Sequence, residues 1–530
     1  MDQPLRKRPW TIPLVLFIGL AVLYGPHRTN EHMIDDSEFL LGTHQNQFQS
    51  VSDYFTDPHG HHYIPLYYLV NTQFFKYLGQ RRDIQRLLMV LLFYGNCLLL
   101  YGLYRKWIPS GKAAGLAVLL FAFHPMNADM LGPVSNIFLL GYSFFLLLAF
   151  HGICRAADLK QQSSAVVWGA LVCYVLALLH YDNALLFPGV LILYLMLVKK
   201  NSFLRSLRIS GAFWLVAVAY FFLWLFFVKS SASSGQYFRA LGLSSLSWLA
   251  TNAELAGWYL GNLFWPRDIV YLYELTPLQA GMWWRAGFFL VLIAVCGYLC
   301  AVHWKRSLKT FLLGWFGLDF LILLPASIAH PAFGMVLEHH WFYFSSMAFY
   351  LLLVLVLWEW QPKLLPLAGR LLVIVLLGMS VCQSKLLLMA ARTEAGYARR
   401  WLAVCPRNMM ALRILGDYYV YKAPVKDYER GADYYRKIVE TTGYDRAPVY
   451  DWIGNAYWFQ GDDSRAERYY LKSLAVRPTA TTYTNLAELY LSNNLPKAAC
   501  DSLKHAAVLD SADPRVHALA KKANAADTCP

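Results

Sequence analysis

The chain reads as all-α: a polytopic membrane helical bundle of about eleven transmembrane helices, followed by a soluble α-solenoid. Three observations predict this. The 530 residues are 57% hydrophobic and only 15% charged, far more apolar than a water-soluble chain needs to fill its core. Apolar runs of roughly 20 residues, each long enough to cross a hydrocarbon layer, recur with short basic interruptions up to about residue 386. Beyond that point the pattern becomes that of a soluble helical repeat.

The first run, 10–25, follows Arg6, Lys7 and Arg8 and lacks a small-residue cleavage site, so it reads as an uncleaved span. A polar loop, 26–83, comes next. Further spans are expected near 84–104, 113–131, 135–153, 165–180, 184–198, 211–229, 283–302, 310–327, 341–358 and 368–386. The stretch 246–264 breaks the alternation of basic loops and is assigned to an interfacial or re-entrant helix carrying Trp248 and Trp258, with Trp265 just beyond. Basic loops at Arg105, Lys106 and Lys112, at Lys199 to Arg208 and at Lys305 to Lys309 then lie inside, and the loop 26–83 and the tail lie outside. The net charge of +14 belongs largely to these topology markers, so nucleic acid is not an expected partner. The chain divides as a membrane domain, 1–386, and an extracytoplasmic repeat domain, 387–530.

In that tail, Tyr450, Ile453, Gly454, Tyr457, Gly461, Ala466, Tyr470 and Pro478 follow the tetratricopeptide pattern of about 34 residues. Tyr483, Leu486, Ala487, Tyr490, Ala499, Leu503 and Ala506 repeat it one period later. A looser copy carries Leu412, Leu415, Gly416, Tyr419, Gly431, Tyr435 and Ile438. Small residues let paired helices approach while tyrosines and leucines fill the seam, which predicts a solenoid of about three units suited to docking a polypeptide. Six of the nine cysteines sit in or beside apolar runs. Of the tail cysteines, Cys500 and Cys529 could form a disulfide, with three free thiols, Cys405 included, as the alternative.

Residues suited to chemistry fall at the outward ends of the spans. They are Asp35 and Asp36 with the histidine-rich loop that follows, the segment His124 to Asp129, the turn His180 to Asn183, and Glu338 to His340. Carboxylates at a membrane face are costly to desolvate and tend to be kept for a task, whereas a solvated acidic loop is the plain alternative. No phosphate-cradling GxxxxGK[ST], HExxH or paired CxxC occurs, which removes support for nucleotide hydrolysis and for a thiolate zinc site. His59, His61 and His62 beside the acids could ligate a divalent ion, but such spacing is common in polar loops and a metal is not favoured.

Taken in order, Asp35 and Asp36, His62 to Leu66, Phe121 to Pro125, Leu179 to Pro188, Glu338 to Ser346 and the repeat tail resemble the tetratricopeptide-repeat-containing transmembrane O-mannosyltransferases and their bacterial relatives. These are GT-C glycosyltransferases, and the resemblance spans nearly the whole chain. It implies a bundle that moves a sugar from a polyprenyl-phosphate donor to an acceptor hydroxyl, expected to be protein Ser or Thr, with no certain cofactor. Asp35 or Asp36 would be the general base, Asp35 slightly preferred. His62, Tyr63, His124, Asp129, Asp182 and Tyr343 stand at matching substrate-binding positions. Such a reaction needs cations for the departing phosphate, for which Arg239, Arg267, His339 and His340 are candidates, with Tyr63, Tyr271 and Tyr343 as hydrogen-bond donors. Tyr181, Asn136 and Phe138 depart from the relatives' pattern where Lys, Arg and Asp are common.

The expected partners are thus the lipid-linked sugar, membrane lipid and an acceptor polypeptide held by the repeats, in a bacterial inner membrane with the site facing the periplasm. The rival readings are a non-enzymatic scaffold for envelope proteins and a transferase that modifies glycolipids. A transporter is disfavoured because the spans carry few ionisable residues beyond Asp319.

Overall fold

A computed structural model describes residues 10–33, 36, 50–56, 63–79, 81–158, 164–228, 245–267, 269–275, scattered positions from 291 to 302, 307–327, 329–330, 334–359, 366–440, 446–511 and 513–524. The chain divides into two compact units, Met1–Pro331 with Met335–Glu394, and Ala395–Pro530 with the short segment Ala332–Gly334.

In the first unit α1, Thr11–Tyr24, is almost wholly apolar and closes into a short 3-10 turn at Gly25–His27, where Pro26 cannot supply an amide to continue the helix. The loop 26–83 is not simply polar coil. It holds α2, Pro65–Leu78, which opens on a proline at its first turn and stops at Gly79, whose φ of +51° only glycine adopts without strain. Then follow α3, Arg82–Trp107, and α4, Gly111–Phe123, the latter capped by Ser110 Oγ accepting the Ala113 amide at 3.2 Å.

The expected span 113–131 is broken in two. His124 takes extended backbone angles and its Nδ1 accepts the Met126 amide at 3.3 Å, while Pro125 occupies the first helical position of α5, Pro125–Met130. Proline disfavours helix at the residue before it and is well suited to starting one, so the His-Pro pair is physically a helix stop and restart.

α6, Ile137–Asp158, and α7, Ser164–His180, pack closely because glycine faces a large ring: a Cβ on Gly141 would come within 2.8 Å of His180. α8, Phe187–Leu197, α9, Phe203–Val228, α10, Ser245–Phe264, α11, Leu308–Ser327, α12, Tyr343–Glu359, and α13, Pro366–Ala390, complete the helical unit. Trp107, Phe150, Tyr194, Phe311 and Trp315 interlock as a buried aromatic cluster joining α3, α6, α8 and α11.

Five of the described helical segments are long and apolar enough to cross a membrane: Arg82–Trp107, Val134–Ala157, Phe203–Phe227, His339–Leu357 and Leu371–Ala390. Four shorter apolar ones are Thr11–His27, Gly111–Phe123, Ala165–His180 and Asp182–Leu197. The expected span 283–302 lies mostly outside the described residues.

The fold is helical apart from one small sheet. Its strands β1, Leu272–Leu275, β2, Ala329–His330, and β3, Gly334–Glu338, lie in the order β1-β3-β2, with Leu272 opposite Glu338 and Leu275 opposite Met335 in the antiparallel pair. These strands are too short to leave a periodic signal.

The second unit stacks α14, Glu394–Val404, α15, Met409–Asp417, α16, Tyr428–Val439, α17, Arg446–Gln460, α18, Asp463–Val476, α19, Ala480–Ser492, α20, Pro496–Leu509, and α21, Pro514–Asn524. A π-helical turn, Tyr418–Lys422, extends α15, so the looser copy of the repeat is also the locally distorted one. Gly416 lies against the ring of Tyr435, and Gly454 against that of Tyr470. The hydroxyl of each tyrosine donates to the residue after that glycine, Asp417 at 2.6 Å and Asn455 at 2.7 Å. The same glycine, ring and hydroxyl arrangement recurs in two successive pairs, which is the physical content of the repeat. α21 covers the end of the stack through Val516, Leu519 and Ala523.

Candidate functional site

The segment 124–136, which joins α4 to α6, gathers most of the polar groups singled out in the sequence. From His124 the Nε2–H donates to the Asn262 carbonyl at 3.1 Å while Nδ1 serves as cap, which leaves that ring neutral and fully used. Asp129 Oδ2 lies 3.3 Å from His339 Nε2, both side chains being almost wholly buried. The His339 ring also faces the Met126 carbonyl at 3.0 Å and the Val270 carbonyl at 3.2 Å. His340 Nε2 lies 3.0 Å from Glu338 Oε2, with the Tyr271 ring tilted against its imidazole at 5.3 Å. Met126, Asn127, His339, His340, Tyr343 and Ser346 border a tight cleft of about 10 Å³.

Asp36 enters from the first loop and is completely buried. Its carboxylate accepts the amides of Met33 at 3.1 Å, Val134 at 3.0 Å and Ser135 at 2.7 Å. Those last two amides open the 3-10 turn that starts α6, so the acid stabilises orphan donors at a helix start. Arg86 is its counterpart: the guanidinium donates to the carbonyls of Leu131, Gly132, Asn30 and Glu31. Acid and base together clamp residues 30–36 onto 131–135, while His32 and Gln85 meet beside them at 2.7 Å. Both its oxygens hold backbone amides, so Asp36 anchors the loop in this fold.

The other candidates are placed as follows. Tyr63 is buried, donates to the Phe55 carbonyl at 3.2 Å and stacks on Phe227. Asp182 is half-buried at the start of a 3-10 turn, whose Asn183 reaches the Trp341 carbonyl at 3.3 Å and so links this turn to the histidine pair. Arg267 is exposed and its amide bonds Asn262 Oδ1 at 3.2 Å. Tyr343 is buried and heads α12. Asp35, His62 and Arg239 lie outside the described residues, as do His59 and His61. Among the described residues no group of three or more His, Cys, Asp or Glu side chains could hold a metal ion.

Sequence reasoning missed Arg86, Asn71 and Asn262. Asn71 donates to the Ser135 carbonyl at 3.2 Å, tying α2 to the same hub. Arg86 lies within an apolar run, and a charge placed there was the available signal.

The second unit offers a separate groove of about 320 Å³, bordered by Asp451, Trp452, Asn455, Arg477, Asn485 and Arg515. Asp451 accepts Thr482 Oγ1 at 2.8 Å, and burial pushes its carboxyl up to about 6. Arg515 reaches Glu488 at 2.9 Å and Asn485 at 3.1 Å, so the groove carries both signs of charge. Cys500 is disulfide-bonded; Cys529 is outside the described residues, and Cys405 is buried and forms no disulfide.

A family model, the tetratricopeptide repeat, matches residues 447–479, which span α17 and α18. No curated protein matches the chain. The crystal structure of the APC/C hetero-tetramer Cut9-Hcn1 aligns at 14% identity, covering 89% of this chain and 98% of that one, with a TM-score of 0.25 that carries no argument. The tail therefore carries tetratricopeptide repeats, which point to a role in binding protein partners.

Proposed function

We propose that the chain is a membrane-embedded glycosyltransferase that takes a sugar from a polyprenyl-phosphate donor and whose tail docks the acceptor polypeptide, with Asp35 as general base. The observation that carries the reading is the convergence on one connecting segment. His339 against Asp129, Asn71 on Ser135 and Asp36 with Arg86 against 131–135 are held by residues 126–135, beside the cleft at His339 and His340. The amides held by Asp36 favour Asp35, its neighbour in sequence, as the carboxylate that takes the proton. The acceptor hydroxyl would lose its proton to Asp35 as its oxygen attacks the anomeric carbon. The bond from that carbon to the lipid phosphate would break, the phosphate leaving with the electron pair. A disulfide at Cys500 suits an oxidising compartment and so favours an extracytoplasmic tail.

The second reading is a scaffold without chemistry, favoured by the groove at Asp451 and Arg515 and by the tetratricopeptide match. Asp35→Asn separates the two. A transferase loses at least about 100-fold in sugar transfer from the lipid donor with its unfolding midpoint unchanged, and the modified envelope proteins vanish from mass spectra of cells carrying the variant. Transfer that survives the substitution refutes the assignment of the base, and unaltered envelope glycans on deletion of the chain refute the transferase.

A further inference from the structure

Away from the histidine cleft, α1 and α3 leave between them a groove of about 200 Å³. Its walls are Phe17, Leu20, Leu87, Val90, Leu91 and Tyr94, and Phe17, Leu87 and Leu91 are exposed at its rim. One end is different in kind. There Tyr24, His27, Arg28 and Arg86 line the same groove.

Tyr24, His27 and Arg86 are each more than nine-tenths buried, and each has an atom with no hydrogen-bond partner: Tyr24 Oη, His27 Nδ1 and Arg86 Nε. Tyr24 Oη and Arg86 Nε are donors, and a buried donor without an acceptor costs about 1–3 kcal/mol, whereas the His27 ring already bonds the Asn30 side chain. Arg28 is exposed beside them, and Lys385 and Arg392 add positive charge around His27. No carboxylate lines the groove among the described residues. Two unmet donors, surrounding cations and a long apolar wall are complementary to an anionic oxygen attached to hydrocarbon.

We propose that this groove is a resident site for one anionic phospholipid, its acyl chain lying along Phe17, Leu87 and Leu91 and its phosphodiester accepting from Tyr24 and Arg86 beside Arg28. A phospholipid is chosen over the prenyl-linked sugar because the groove carries no acid that could activate an acceptor. The inference rests on reading α1 and α3 as membrane-spanning and is independent of the transferase chemistry.

The test is native mass spectrometry of the full-length chain in detergent, titrated separately with phosphatidylglycerol, phosphatidylcholine and polyprenyl phosphate. Phosphatidylglycerol is expected to form a one-to-one adduct at least about fivefold more tightly than phosphatidylcholine. Arg28→Ala and Tyr24→Phe together should weaken that adduct at least about fivefold with the lipid-free unfolding midpoint retained, since one side chain is exposed and the other loses only a hydroxyl. Leu91→Trp, made at the rim, should block it while leaving every donor in place. Asp35→Asn should leave it unchanged, which separates failure here from failure of the base assignment. Equal binding of the two phospholipids, or binding indifferent to both groove variants, overturns the proposal. So does a groove that takes polyprenyl phosphate and excludes phosphatidylglycerol.

Discussion

Replacing Asp36 tests whether it holds the loop or performs the chemistry. Its carboxylate accepts three backbone amides, at 3.1, 3.0 and 2.7 Å, in a fully buried position. A hydrogen bond to a charged group contributes about 1.5–3 kcal/mol, so three sum to about 4–9 kcal/mol before relaxation. Asp36→Asn keeps the shape but has one acceptor oxygen, and its amide nitrogen opposes a backbone amide. About half of the interaction is lost, and Arg86 also loses a negative neighbour. We expect a destabilisation of about 2–4 kcal/mol for Asn and more for Ala. The assay is unfolding of the purified full-length chain in detergent, followed by tryptophan fluorescence. The midpoint should fall by at least about 4 °C. A midpoint equal to that of the wild type, with sugar transfer abolished, would refute this account and make Asp36 the base.

In the tail, Asp451 has a carboxyl near 6 in the fold against 3.8 in the unfolded chain. Between those values the folded state binds the proton more tightly, so stability is greatest below the window and declines as pH rises through it, by up to about 3 kcal/mol. Asp451→Asn should flatten this slope in fluorescence-detected unfolding from pH 4 to 7, and an unchanged slope would assign the effect elsewhere. Gly454→Ala would put a methyl 2.6 Å from the Tyr470 ring and push its hydroxyl off Asn455. The expected loss is about 1–3 kcal/mol, recovered in part by adding Tyr470→Leu, and a double variant no better than the single one would contradict the close-packing explanation.

Much of the architecture was legible because it is written in periodicity. The apolar runs at 84–104 and 135–153 became α3 and α6, and the glycines and tyrosines of 412–506 became paired helices. What periodicity could not reveal is local and geometric. His124 and Pro125 lie inside the apolar run 113–131, and hydropathy averaged over that run conceals the helix break that the His-Pro pair makes there. The helix α2 was hidden in a loop judged polar by its neighbours. The sheet pairs residues more than fifty positions apart through strands of two to five residues.

The candidate site divides in the same way. Residue type and position by themselves drew attention to Asp35, Asp36, His124, Asp129, Asp182, His339 and His340, because charge at a membrane face demands a partner or a purpose. They could not distinguish partner from purpose. Asp36 became an anchor and His124 a helix cap only when the fold set backbone amides within 2.7 to 3.3 Å of them. The amino-acid order alone determined that the chain is apolar in its first three-quarters and repetitive in its tail, since burial of nonpolar surface responds to composition and spacing. Tertiary structure alone decided which polar groups are spent on holding the backbone, because a hydrogen bond depends on distance and direction between residues that the chain keeps far apart.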